Sequence, residues 1–210
     1  MSTNTDSVAA LVERIQKKAP EYLDLLTAET DADFEQAFNA VLATAVSWME
    51  RNKKSYQTLD EVGLTSVLAA RLSIPGLTVS QESHSNGHVD LFIVADHCVP
   101  ERIKLGEAKI YDGYSYHIGG LKQLLGRYTT GRETRGLLIV YVQKKDITGL
   151  IKKLRGRMNT ERPCSQGRDT ADHVLKWSFL SEHFHSCGEN LEISHIGCNL
   201  YVDNDATTAS

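Results

Sequence analysis

Two short segments hold residues that could do chemistry together. They are His88-Val89-Asp90-Leu91 and, after sixteen residues that follow Asp90, Glu107-Ala108-Lys109. Alternating apolar residues around each predict strands over 88–95 and 102–110, joined by a turn that contains Pro100. A hairpin centred between Cys98 and Val99 makes facing residue numbers sum to 197 and sets Asp90 opposite Glu107. Facing strands lie ~4.8 Å apart, so the two carboxylates can share one cation. Glu107 and Lys109 point to the same face, because alternate strand residues do. Carboxylates this close repel one another unless something neutralises them. Magnesium does so, using one or two carboxylates with water and substrate phosphate, and the Ala108 carbonyl could add a ligand. Lys109 would help deprotonate or orient a water, or stabilise charge growing on a phosphate. The chemistry is phosphodiester hydrolysis; the competing account is a cross-strand salt bridge between these carboxylates and Lys109.

The elements that must position these residues can be read on either side. Helices are predicted over 7–27, broken or kinked at Pro20, and over 33–52, with Asp31 or Asp33 as cap. In the second, Phe34, Phe38, Val41, Leu42, Ala45 and Trp48 recur at helical spacing. A third helix starts near residue 58 and ends before Pro75-Gly76, with Glu61 in its first turn, where a carboxylate also suits the helix dipole. A strand over 77–82 precedes the hairpin. After it come a helix over 116–130, a strand over 135–142 apolar enough to be buried on both faces, and a basic helix over 146–158. A polar loop over 159–172 leads to short strands at 174–180, 191–196 and 199–202.

With 210 residues the chain suits one well-buried core. No apolar run approaches the ~20 residues of a membrane helix, and the first residues lack an apolar signal core. A cytoplasmic protein with no membrane partner is expected, its four cysteines free thiols. The net charge of -4 conceals an asymmetry: residues 102–168 hold 15 Lys and Arg against 5 Asp and Glu. Such a stretch offers a polyanion a place to bind, or else is a solvated helix face.

The Asp90 and Glu107-Ala108-Lys109 pattern resembles the PD-(D/E)xK nuclease superfamily, with Val89 where the name has proline. The resemblance covers about residues 57–145. It implies an α/β fold with a restriction-endonuclease-like core: a mixed central β-sheet flanked by helices in the order α-β-β-β-α-β. An N-terminal helical extension (1–55) would precede the core (56–160), and short C-terminal β pieces (161–210) would follow, all in one nuclease domain. It further implies a metal site of Asp90, Glu107 and the Ala108 carbonyl, joined by the helical Glu61. Magnesium would be the cofactor, with manganese able to substitute. Lys109 and Gln123 would complete the catalytic set, and Glu82 resembles a glutamate of restriction-like and defence-associated members. That superfamily's exonuclease branch carries Gln-x-x-x-Tyr. Here position 127 is Arg and the tyrosine follows as Tyr128.

The implied activity is a metal-dependent deoxyribonuclease, an endonuclease of phage defence, restriction or mobile-element processing, with RNA left open as substrate. Lys122, Arg127, Tyr128, Arg132, Lys144 and Lys145 are the expected nucleic-acid contacts. Cutting both strands would require a homodimer or higher homo-oligomer, and a regulatory protein partner is conceivable. Tyr111, Tyr114, Tyr116 and His117 are candidate stacking or phosphate contacts, with packing as the plainer role. The alternative function is a catalytically silent nuclease-fold module that binds nucleic acid or a protein. A third reading makes His173, His183, His185, Cys187, His195 and Cys198 a zinc-stabilised scaffold.

Overall fold

The computed structural model describes residues 7–81, 89–130, 132–133 and 135–203. One mixed sheet of seven strands is flanked by helices. The elements in chain order are α1 (Val8–Lys18), α2 (Pro20–Leu26), α3 (Asp31–Arg51), α4 (Glu61–Leu72), β1 (Thr78–Ser80), β2 (Leu91–Ala95), β3 (Arg102–Ile110), α5 (Tyr114–Gln123), β4 (Arg135–Val142), α6 (Ile147–Glu161), β5 (Ala171–Asp172), β6 (Phe179–Phe184) and β7 (Asn190–Asn199). The sheet runs β1-β2-β3-β4-β7-β6-β5. Its three central strands, β3, β4 and β7, pair in parallel, and every outer pairing is antiparallel.

Local chemistry explains the helix boundaries. Pro20 lacks an N–H and opens α2, so the predicted 7–27 helix becomes two. The cap of α3 is Thr30, not Asp31 or Asp33. Thr30 Oγ1 accepts from the Asp33 N–H, while the Asp33 carboxylate accepts from the Thr30 N–H in a capping box. α3 buries Phe34, Phe38, Val41, Leu42, Ala45 and Met49, six side chains on one stripe. Lys104 of β3 is 2 % exposed and reaches Glu35 of α3 at 2.5 Å, which ties this helix to the sheet. β4 is buried from Gly136 to Val142, as its composition predicts. Leu137, Ile139 and Tyr141 pack on the α3–α4 side, and Leu138, Val140 and Val142 on the α5–α6 side.

The C-terminal strands depart from expectation. The segment predicted as a strand at 174–180 reaches strand conformation only from Phe179, and β6 continues to Phe184. Its inward residues are Phe179, Ser181 and His183, so the usual apolar alternation is missing. The two strands expected at 191–196 and 199–202 are one, β7. Gly197 marks no break there. A Cβ at that position would lie 2.5 Å from the Trp177 carbonyl oxygen, so glycine admits a crossing backbone.

α5 begins at Tyr114 and ends in a π turn over Leu124–Tyr128, closed by the Thr129 N–H on the Leu124 carbonyl at 3.1 Å. No described helix is long and apolar enough to cross a membrane. Glu82 and the turn 83–87 lie outside the described residues, as does the Tyr128 side chain.

Candidate active site

The register that sums to 197 is present: β2 pairs with β3 from Ala95 opposite Arg102 to Leu91 opposite Gly106. There β2 ends and β3 runs on to Ile110, so the β2-side edge of β3 loses its partner. Backbone donors left this way need acceptors. Asp90 Oδ2 accepts from the Ala108 N–H at 2.9 Å, and Glu61 Oε2 from the Ile110 N–H at 2.9 Å. The Asp60 side chain caps α4 by accepting from the Gly63 N–H, which makes Glu61 the first helical residue and aims it at this gap.

Lys109 crosses the same gap. Its Nζ donates to Glu107 Oε1 at 2.7 Å and Glu61 Oε1 at 3.0 Å, and lies 6.0 Å from the Tyr116 ring centroid. Gly120 of α5 passes directly over it; a Cβ there would come within 3.0 Å of Lys109 Cγ. Glu107 is 1 % exposed, and its Oε2 has no hydrogen-bond partner.

Burial pushes the Glu107 carboxyl up to about 7, against the pull of Lys109 and with the help of Asp90. Burial also raises Asp90, although the Ala108 N–H and Lys109 oppose it, and its carboxyl contacts that of Glu107. Burial alone would lower Lys109, but Glu107 and Glu61 outweigh it and hold the ammonium charged. Lys109 is therefore an electrostatic group here; that argues against its expected role as proton acceptor.

A divalent cation suits part of this arrangement. Two carboxyls in contact, Glu107 buried and Asp90 half-buried, are what such an ion would neutralise. The N–H and C=O of one strand residue leave by the same edge, so the Ala108 carbonyl opens where its N–H meets Asp90. A cavity of about 30 Å³ lies between Glu61 and Asp90, lined also by Val62, Thr65 and Gln81 but not by Glu107 or Ala108, and has room for one water. Glu61 does not fit the role of third metal ligand. Its oxygens are taken by Lys109, the Ile110 N–H and the Tyr116 hydroxyl at 3.4 Å. Among the described residues no group of three or more His, Cys, Asp or Glu converges to hold a metal. The zinc scaffold fails on the same finding. His195 and Cys198 lie three apart on β7 and pack on opposite faces of the sheet.

Lys122, Gln123 and Arg127 line a hollow of about 410 Å³ together with Lys109 and Tyr116. Three other expected contacts do not join it: Arg132 and Lys145 are exposed elsewhere, and Lys144 is paired with Asp112 at 2.7 Å. Tyr111 is a packing residue, 8 % exposed. A hollow of about 930 Å³ between α3 and Val174–Trp177 lies apart from all these groups.

His117 is not a surface contact. It is 1 % exposed and heads a buried chain that sequence reasoning missed. His117 Nε2 meets His195 Nδ1 at 2.9 Å, and His195 Nε2 meets Ser181 Oγ at 2.7 Å. Ser181 Oγ meets His183 Nε2 at 2.7 Å, and His183 Nδ1 meets the Cys164 carbonyl at 3.0 Å. A carbonyl only accepts, so His183 Nδ1 carries a proton and its Nε2 accepts from the Ser181 hydroxyl. Ser181 then accepts from His195 Nε2–H, and His195 Nδ1 accepts from His117 Nε2–H. All three rings are neutral, and His117 Nδ1 is left a bare acceptor; it is without a partner in the structure. Burial lowers His117 to about 3 and His195 well below its ordinary value. The only sequence trace of this chain is the run of inward-facing polar residues on β6.

Comparison with protein-family models, with curated proteins and with solved structures gives no match to this chain.

Proposed function

We propose that the chain is a metal-dependent nuclease of the PD-(D/E)xK kind, built on a restriction-endonuclease-like core and hydrolysing phosphodiester bonds in DNA. The observation that carries this reading is the contact between the half-buried Asp90 and the buried Glu107, with Lys109 beside it. A salt bridge with Lys109 explains Glu107 Oε1, and capping of the strand edge explains one oxygen of Asp90; neither explains why the two carboxyls meet, which a cation or a shared proton between them would neutralise. Asp90, Glu107 and the Ala108 carbonyl would hold magnesium, which when bound supplies an acidified water and a positive charge at the phosphate. Lys109, kept cationic by its two carboxylates, stabilises charge growing on the phosphoryl oxygens. Glu61 holds Lys109 and the strand edge in place rather than binding metal. Gln123 stands in the hollow that leads to Lys109.

The π turn favours an exonuclease as the second reading. Its i→i−5 bond inserts one additional backbone residue into the turn that follows Gln123.

The test is incubation of the protein and its Glu107→Ala and Lys109→Ala variants with linear, circular and single-stranded DNA and with RNA, with and without magnesium. Magnesium-dependent cleavage, lost in both variants, is expected. Circular substrate left intact while linear substrate is consumed would select the exonuclease reading. Binding without cleavage in every condition would replace the enzyme by a silent binding module.

A further inference from the structure

Two hollows of about 410 Å³ each open side by side on the outer face of α5, and both are lined by Ser115, Gly119 and Lys122. One reaches Lys109 and Arg127; the other is walled by Tyr114, Arg157 and Cys164. Their shared floor is bare, since a Cβ on Gly119 would meet nothing within 4 Å. Together they form a trough across the helix that starts at the candidate active site.

Cations mark its length. Among the described residues neither Lys122 nor Arg127 is in an ion pair. Arg157 is paired with Glu161 and stacks on Tyr114 at 3.9 Å. Tyr116, 45 % exposed, offers a ring at the entrance. A cationic groove with aromatic rings beside it is what a single nucleic-acid strand binds, through its phosphates and the faces of its bases.

The walls are held from beneath. α5, across which the trough runs, is anchored by His117, and the wall at Cys164 by that residue's carbonyl, the two ends of the buried histidine chain. The trough thus exists before a ligand arrives and needs little ordering to bind one. Depth also selects the ligand. Glu107 is 1 % exposed beneath Lys109, where a supple strand can bring a phosphate but a stiff duplex ~20 Å across cannot follow unopened.

We infer that the trough across Ser115, Gly119 and Lys122 is the tract of a single nucleic-acid strand, threading past Arg157 and Lys122 to the candidate active site. The inference rests on the nuclease reading for the ligand's identity as nucleic acid.

The experiment is fluorescence anisotropy of a labelled 12-nucleotide DNA strand, and of the same sequence as duplex, with metal-free protein. Gly119→Trp fills the floor at a position with space for it, and Lys122→Glu with Arg127→Glu reverses the charge. Lys54→Glu, far from the trough, is the control, and circular dichroism checks each fold. Single strand binding at least tenfold tighter than duplex is expected, weakened at least tenfold by the two trough changes and not by the control. Equal or tighter duplex binding, or full strand binding by Gly119→Trp, would overturn the inference. Strand binding in the trough without cleavage in magnesium would sink only the nuclease reading; cleavage undisturbed by Gly119→Trp would sink only the tract.

Discussion

Acidification below pH 6.5 should destabilise this protein through its buried histidines. His117 titrates at 6.5 in the unfolded chain and near 3 in the folded one, and His195 is displaced in the same direction. Between those values the unfolded chain binds more protons. Stability is therefore complete above pH 6.5 and is lost as pH falls toward the folded value. His117 removes ~1.4 kcal/mol per pH unit, roughly 2.5 kcal/mol between pH 6.5 and 4.5, and His195 adds to the loss in the same direction. Glu107 works the other way. Its folded value, raised from 4.5 to about 7, makes the ionised carboxylate a burden that acid relieves. That returns about 2 kcal/mol over the same interval and nearly offsets His117, so the net loss is the part that His195 carries. Burial also lowers His183, which adds to the loss.

Urea unfolding of the metal-free protein, followed by circular dichroism at pH 6.5, 5.5 and 4.5, measures this directly. The midpoint should fall while the slope m stays constant. His117→Phe, which removes the first ring of the chain, should flatten the pH dependence by ~1.4 kcal/mol per unit. A protein as stable at pH 4.5 as at 6.5 would refute the reasoning and place charge or water among these rings.

Two further outcomes follow from the geometry. Gly197→Ala should cost about 1–3 kcal/mol in urea unfolding, because its Cβ would meet the Trp177 carbonyl backbone, which cannot yield as a side chain would. Glu107→Gln, with no charge to bury, should be more stable than the wild type at pH 8 by up to about 3 kcal/mol and nearly equal to it at pH 4.5. A constant difference at both pH values would mean that Lys109 already compensates the carboxylate.

The hairpin was legible because two signals agree: turn chemistry near Pro100 and alternation on either side fix one register, and that register brings Asp90 to Glu107. The buried strand β4 and the stripe of α3 follow from composition and period. The second partner of Lys109 was not legible, since Glu61 also suits a helix N-terminus and only three-dimensional placement shows it bonded to Lys109 and the end of β3. The basic stretch was partly misleading. Arg102, Lys104 and Arg135 are committed to Asp31, Glu35 and Glu192, so the positive balance overstates what is left for a polyanion. β6 was misplaced because its inward residues include Ser181 and His183, which bury one another rather than apolar surface. The π turn leaves no mark in composition or period.

The sheet order also has a consequence for synthesis. β7 is the last strand made among the described residues, yet it lies between β4 and β6. A growing chain can fold Asp90, Glu107 and Lys109 onto β1 to β4, but β4 then presents a full apolar edge with nothing beside it until residues 190–199 leave the ribosome. His195 arrives on that same strand, so α5 also waits for its anchor. Translation halted before residue 190 would leave a sticky edge for chaperones and proteases to find, and the site would reach working order only as the last strand slides home.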